Sequence, residues 1–176
     1  SYSLENISVI FMLLGSLPFV IFIQFIHGHR MAIFKDDQIK LFIFLILLVI
    51  IITLVWLKYY FDLNWLKALR LATFNITSIL TGTGYTSANY DSWGSFGIIT
   101  MFIIMFIGGC AGSTTGGIKI FRLQLLFRGA KAQIKKLTQP HGVFVTSFNN
   151  KTVGEDTFNS IMFFFFMYIL IFILSA

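Results

Sequence analysis

Apolar and polar positions along this chain are sorted into long blocks. Residues 7–26 carry no charge and, at about 1.5 Å per residue, are long enough to cross a hydrocarbon core of about 30 Å, so they predict a first membrane span. Gly15 and Pro18 fall inside it, and because proline removes a helical hydrogen bond the span is expected to kink near Gly15. A polar link at 27–40, with Arg30, Lys35, Asp36, Asp37 and Lys40, leads into an uncharged second span at 41–57. Trp56, Tyr59, Tyr60 and Trp65 then predict an aromatic belt at a membrane interface.

From Leu66 the pattern becomes one-sided: Leu66, Leu69, Thr73, Ile76 and Leu80 recur at three- and four-residue spacings among Lys67, Arg70, Asn75 and Thr77. That spacing predicts a short amphipathic helix. It is too short and too polar to span, yet lies between spans, which fits a re-entrant helix. Its carboxyl end, where partial negative charge favours a cation, points into residues 81–86, Thr-Gly-Thr-Gly-Tyr-Thr. After an interfacial turn at Asn89, Tyr90, Asp91 and Trp93, residues 96–107 are apolar over only about two-thirds of a spanning length. Residues 108–117 then hold five glycines in ten positions, each unfavourable in a helix by roughly 1 kcal/mol relative to alanine. Helical character is expected to resume at Ile118, making a discontinuous span with a polar loop at membrane depth. Residues 140–156 are polar, and Val143, Phe144, Val145 and Thr146 followed by Asn149-Asn150 suggest a small hairpin. Residues 157–174 predict a final span, with Glu155 and Asp156 favouring its amino end.

Composition fixes the class: 57% hydrophobic, 11% charged and 22 phenylalanines mark an integral membrane protein. Cys110, in an apolar segment, has no partner for a disulfide. The chain opens on Ser1 without a basic leader, and its last residues are still transmembrane in character, so a piece of a longer protein is expected. Ten of the thirteen Lys and Arg residues lie in 27–40 and 119–151, which predicts that these links face the cytoplasm. The net charge of +6 therefore reflects a rim facing membrane lipids, and no nucleic-acid partner is needed to explain it.

Two glycine-rich stretches carry the candidate chemistry. In residues 81–86 glycines spaced by one residue permit backbone angles that turn successive carbonyls toward one axis, and a ring of carbonyls replaces water around a permeating ion. The competing reading is a Gly/Thr turn between helices. In residues 108–117, Gly108, Gly112 and Gly116 could instead be helix-packing positions, and Gly112 to Lys119 lacks the strand and the lysine placement of a phosphate-binding loop. Lys119 and Arg122 could line an inner pore mouth or anchor at the interface. His27, His29 and His141 lack metal-ligand spacing. A membrane enzyme needs titratable groups at depth, and 41–57 and 96–117 contain no acidic, His, Lys or Arg residue. A purely structural helix bundle leaves both glycine-rich loops unexplained. A faint repeat, Met12 to Ser16 against Met105 to Gly109, places matching breaks at the ends of two spans.

Residues 108–122, Gly-Gly-Cys-Ala-Gly-Ser-Thr-Thr-Gly-Gly-Ile-Lys-Ile-Phe-Arg, together with Thr-Gly-Thr-Gly-Tyr-Thr upstream, resemble the bacterial Trk/Ktr potassium-uptake transporters and their HKT relatives. The resemblance implies an all-α integral membrane fold of M1-P-M2 repeats, each with a re-entrant pore helix, here with a discontinuous M2. It divides the chain into the end of one repeat at 1–26, a cytoplasmic link at 27–40, a complete repeat at 41–127, a second link at 128–156 and the start of the next repeat at 157–176. It assigns Gly82, Thr83, Gly84 and Tyr85 to a selectivity filter whose backbone carbonyls hold potassium, the transported substrate, with no covalent cofactor. Thr86 occupies the position where potassium channels have a second glycine. Gly108, Gly109, Cys110, Ala111, Gly112, Ser113, Thr114, Thr115, Gly116 and Gly117 become a gate loop beneath the filter, with Lys119 and Arg122 at the inner mouth. The resemblance further implies a homodimer, a cytosolic nucleotide-binding regulatory subunit of the RCK type and a multi-pass location in the bacterial inner membrane.

Overall fold

The computed structural model describes residues 2–29, 31–139, 147–149 and 151–175. The chain forms two compact units, residues 1–120 and residues 121–176. Apart from one two-residue ribbon, the described residues are helical or irregular.

The first apolar block forms α1 (Tyr2–Gly15) and α2 (Phe19–Ile26), which together are long and apolar enough for one span but turn through 93° at the intervening break, as a broken span or a re-entrant loop does. The sequence pointed to the break but underestimated it. Pro18 has no N–H to continue the ladder, and the Ser16 hydroxyl turns back to the Met12 carbonyl at 2.8 Å, closing α1. The freed polar groups find partners elsewhere: the Phe19 N–H donates to the Gly112 carbonyl at 3.0 Å, and the Ser16 carbonyl accepts from the Cys110 N–H at 3.0 Å.

After the short α3 (Ala32–Lys35), Asp36 caps α4 (Asp37–Phe61) by accepting from the Gln38 N–H at 2.7 Å. With 25 residues, α4 is about 37 Å long, enough to cross a bilayer. It ends where Asp62 adopts a left-handed conformation, with Lys58 reaching that carboxylate at 3.0 Å. Trp56 stacks on Tyr60 at 4.4 Å, meets Phe96 at 4.6 Å and donates its indole N–H to the Trp93 carbonyl at 3.1 Å. Trp56, one residue of the expected aromatic belt, thus ties the end of α4 to Trp93 and Phe96.

Asn64 caps α5 (Trp65–Leu80) by accepting from the Leu66 N–H at 3.3 Å. The helix is present, but its inner face differs from the expected one: Leu66 and Leu69 are exposed, while every residue from Phe74 to Ser78 is buried. The helix dives into the protein, so its second half is enclosed on all sides and a one-sided pattern no longer describes it. Asn89 accepts from the Asp91 N–H at 3.1 Å and starts a 3₁₀ turn, Tyr90–Trp93, leading into α6 (Gly94–Ile104). An irregular stretch separates α6 from α7 (Ile120–Thr138).

In the second unit, β1 (Ser147–Phe148) and β2 (Lys151–Thr152) pair antiparallel, Ser147 opposite Thr152 and Phe148 opposite Lys151. Residues 140–146 and 150, including Val143, Phe144, Val145, Thr146 and His141, lie outside the described residues. The last helix, α8 (Glu155–Ser175), is long and apolar enough to cross a membrane. It packs closely on α7, for a Cβ added to Gly129 would lie 2.0 Å from the Phe158 ring.

Candidate functional site

Both glycine-rich stretches belong to the first unit, and they treat their peptide groups in opposite ways. Residues 81–84 turn their N–H groups back onto the carboxyl end of α5. Thr81 donates to the Thr77 carbonyl at 2.9 Å, Gly82 to Ile79 at 3.0 Å, and Thr83 and Gly84 both to Ser78, at 2.9 and 3.3 Å. Among the described residues, no hydrogen bond ends on a carbonyl oxygen of residues 82–86. Residues 82–86 are exposed, so this row of carbonyls is open to water or an ion. Gly82 at φ 70° and Gly84 at φ 79° alternate with the ordinary backbone of Thr83 and Tyr85, the arrangement that lets successive carbonyls face one way.

A cavity of about 350 Å³ lies beside this segment. Thr81, Thr83 and Tyr85 form one wall, Thr114 and Thr115 a second, and Met12 and Gly15 of α1 with the following Ser16 a third. A separate cavity of about 380 Å³ is bounded by Gly82 and Gly84 together with Met101 and Phe102 of α6. Residues 81–85 thus form a thin partition, with alternate residues facing different spaces.

Residues 108–117 are not helical, which sets aside the helix-packing reading of Gly108, Gly112 and Gly116. The loop's entry and exit run alongside each other, the Gly108 N–H donating to the Ile118 carbonyl and the Ile118 N–H to Phe106, both at 2.8 Å. Hydroxyls fill the interior. Thr115 Oγ1 accepts from the Gly109 N–H at 2.8 Å and lies 2.8 Å from Ser113 Oγ, which donates to the Cys110 carbonyl at 2.6 Å. Besides the Phe19 bond to Gly112, α1 and α4 clamp the loop. The Gly15 carbonyl of α1 accepts from the Thr114 N–H at 3.2 Å and the Thr114 hydroxyl at 3.0 Å, and Gln38 Oε1 of α4 accepts from the Ala111 N–H at 2.9 Å. The two stretches related by the faint repeat also meet, for a Cβ added to Gly109 would lie 2.9 Å from the Ser16 carbonyl oxygen.

Lys119 turns inward. Its ammonium donates to the Thr115 carbonyl, to Thr115 Oγ1 at 3.1 Å and to the Ser113 carbonyl at 3.4 Å. It closes the loop from inside rather than extending toward an interface. Arg122, in the second unit, stacks over the Phe164 ring of α8 at 3.8 Å. Cys110 is fully buried within the loop. Sequence reading missed Asn75, Ser87, Gln38 and Ser16 as supporting residues. Asn75 alone left a trace, as a polar residue in the half of α5 that has to be buried; the other three look like ordinary cap or link residues until the chain is folded.

The described residues form a helical scaffold with helices long and apolar enough to cross a membrane, and its two glycine-rich stretches line one cavity. The family model described as TrkH, cation transport protein, matches residues 1–176, and the chain belongs to that family. Its relatives include the Trk system potassium uptake protein TrkI of Halomonas elongata, 38% identical over 161 residues, covering 92% of this chain and 32% of that protein. The TrkH of Salmonella typhimurium is 32% identical over 178 residues, covering 99% of this chain and 37% of the relative. The crystal structure of the potassium transporter TrkH from Vibrio parahaemolyticus superposes with a TM-score of 0.92 at 29% identity, over 99% of this chain and 38% of that one. The chain thus spans roughly a third of the length of these relatives.

Proposed function

We propose that this chain supplies one M1-P-M2 unit of a potassium uptake pathway, with α4 as M1, α5 as the pore helix, and α6, the loop at 108–117 and α7 as a discontinuous M2. In this reading residues 1–26 end the preceding repeat, 27–40 and 128–156 are cytoplasmic links, 41–127 form the complete repeat, and 157–176 begin the next. Gly82, Thr83, Gly84 and Tyr85 contribute carbonyls to the selectivity filter, and residues 108–117 are the gate. The substrate is a potassium ion, held by carbonyls without a covalent cofactor. The observation that carries this reading is the row of carbonyls at 82–86 that accept no hydrogen bond among the described residues, set against N–H groups that are all turned back onto α5 at 81–84. The relatives' description as potassium uptake proteins supports the choice of ion.

The finer parts of the reading follow. The protein sits in the bacterial inner membrane as a multi-pass subunit, pairs with a second copy, and meets an RCK-type nucleotide-binding regulator through the basic face that includes Arg122, Arg128, Lys131, Lys135 and Lys136.

Gly84→Ser in the full-length parent tests the filter. A side chain at φ 79° is strained by roughly 1–2 kcal/mol, although space is open around that Cβ, so the effect reports backbone geometry rather than collision. Growth of an uptake-deficient host should then require about ten-fold more potassium, and the preference for potassium over sodium should weaken. Unchanged uptake and preference would make residues 81–86 an ordinary turn.

A further inference from the structure

We propose that Asn75 and Ser87 are positioning residues that set the ion preference of residues 82–85 by fastening the downstream end of that segment to α5. The inference rests on the filter reading above and names what holds the filter's geometry.

Asn75 is fully buried in α5. Its Nδ2 donates to the Leu71 carbonyl at 2.8 Å and to Ser87 Oγ at 2.9 Å, and its Oδ1 accepts from the Ser87 N–H at 3.1 Å. The Ser87 N–H can only donate and the Leu71 carbonyl can only accept, so the orientation of the amide is fixed by its neighbours. The upstream end of the segment is held separately, by the N–H groups of residues 81–84 on the carbonyls of Thr77, Ser78 and Ile79 and by the Thr81 hydroxyl on Ser78 at 3.3 Å. Between these anchors, neither Tyr85 nor Thr86 makes a hydrogen bond among the described residues. The carbonyl row is therefore suspended between two attachment points on one helix.

The physical consequence concerns preference rather than throughput. Carbonyls that discriminate between ions of different radius must resist being drawn inward around the smaller one, by cavity size, by ligand number or by both. A segment tied at one end can follow a smaller ion, whereas a segment tied at both ends pays for the same movement by stretching hydrogen bonds. Loss of the downstream tie is expected to admit sodium while potassium still passes.

The test uses the full-length protein in liposomes and reads potassium uptake against sodium uptake in competition. Asn75→Leu keeps a similar volume and removes all three bonds; the potassium-to-sodium ratio should fall by about ten-fold. Ser87→Ala removes only the hydroxyl acceptor and should lower the ratio by about three-fold, while Ser87→Thr, which retains a hydroxyl, should keep it. A merely structural role would reduce both fluxes together and leave the ratio alone, and that result overturns the proposal. So does a Ser87→Thr variant as altered as Ser87→Ala. Should Asn75→Leu fail to insert, the two Ser87 variants decide the matter. Gly84→Ser separates the levels: if it shifts the ratio and the Asn75 and Ser87 variants do not, only this inference fails, and if it too leaves the ratio unchanged, the filter reading fails with it.

Discussion

Residues 81–86 and residues 108–117 use the same small-residue chemistry to opposite ends. In the first stretch the N–H groups of residues 81–84 are satisfied by the helix behind them, and among the described residues the carbonyls of 82–86 accept no hydrogen bond. In the second the carbonyls of Gly109, Cys110, Gly112, Ser113 and Thr115 all accept hydrogen bonds, from the backbone, from Ser113 or from Lys119. One stretch leaves its carbonyls open, and the other consumes them internally. Glycine differs in its role too. Gly82 and Gly84 are needed for their left-handed backbone, whereas Gly108 and Gly109 are needed because another chain segment occupies the place of a side chain. Variants of the first stretch should therefore change which ion passes, and variants of the second how much passes at rest.

The most severe break in this contrast is expected from Gly108→Ala. A Cβ at that position would lie 2.0 Å from the Gly116 carbonyl oxygen, a collision with backbone that no side-chain rotation relieves. The paired entry and exit of the loop have to separate, releasing the two hydrogen bonds between Gly108, Ile118 and Phe106. In the full-length protein we expect resting potassium flux to rise by at least about ten-fold, or the loop to fail to form altogether, which limited proteolysis of the reconstituted protein would register. A normally folded variant with wild-type resting flux would show that the loop does not govern the pathway.

Next in size is Lys119→Met, which preserves the length of the side chain and removes its donors. Hydrogen bonds from a charged group contribute about 1.5–3 kcal/mol, so the closed arrangement should weaken by a factor on the order of ten to a hundred. Resting flux measured with a potassium-sensitive dye should rise accordingly, with the potassium-to-sodium ratio unchanged. A changed ratio at constant flux would move Lys119 into the selection machinery and erase the distinction between the two stretches.

How much of this was legible beforehand follows from the range of the interactions. The spans at 41–57 and 157–174 were readable because lipid demands long uncharged runs, and the breaks at Pro18 and at 108–117 because proline and clustered glycine act locally. The buried face of α5 differs from the expected one, since the second half of that helix is enclosed by neighbours that local periodicity does not describe. The partners of the loop were invisible for a related reason. Thr114 meets Gly15 across 99 residues and Ala111 meets Gln38 across 73, and nothing in either local pattern marks the pairing. Charge also misled: a lysine at the edge of a basic run looks like an anchor at the interface, and only the fold reveals four oxygens of Ser113 and Thr115 turned toward Lys119.

The smallest expected effect, and the one that sharpens the contrast most, belongs to Gln38. Its side chain is almost fully buried in the first turn of α4, two residues after the Asp36 cap, and its Oε1 accepts from the Ala111 N–H at 2.9 Å. The contact joins the link at 27–40 to the middle of the loop without touching residues 81–86. Gln38→Leu leaves helix propensity nearly unchanged but removes the acceptor, and a neutral hydrogen bond contributes about 0.5–1.5 kcal/mol, so resting flux should rise by roughly two- to ten-fold. Gln38→Glu keeps an acceptor in the same place, and its charge is favoured at a helix amino end, so that variant should remain close to wild type. If Leu and Glu raise flux equally, the effect comes from disturbed packing around α4 and the bond to Ala111 does not hold the loop. If only Leu does, the loop is restrained by a single amide on the link, and a displacement of that link by a few tenths of an ångström reaches Ala111 directly while the carbonyl row at 82–86, fastened to α5 alone, keeps its spacing.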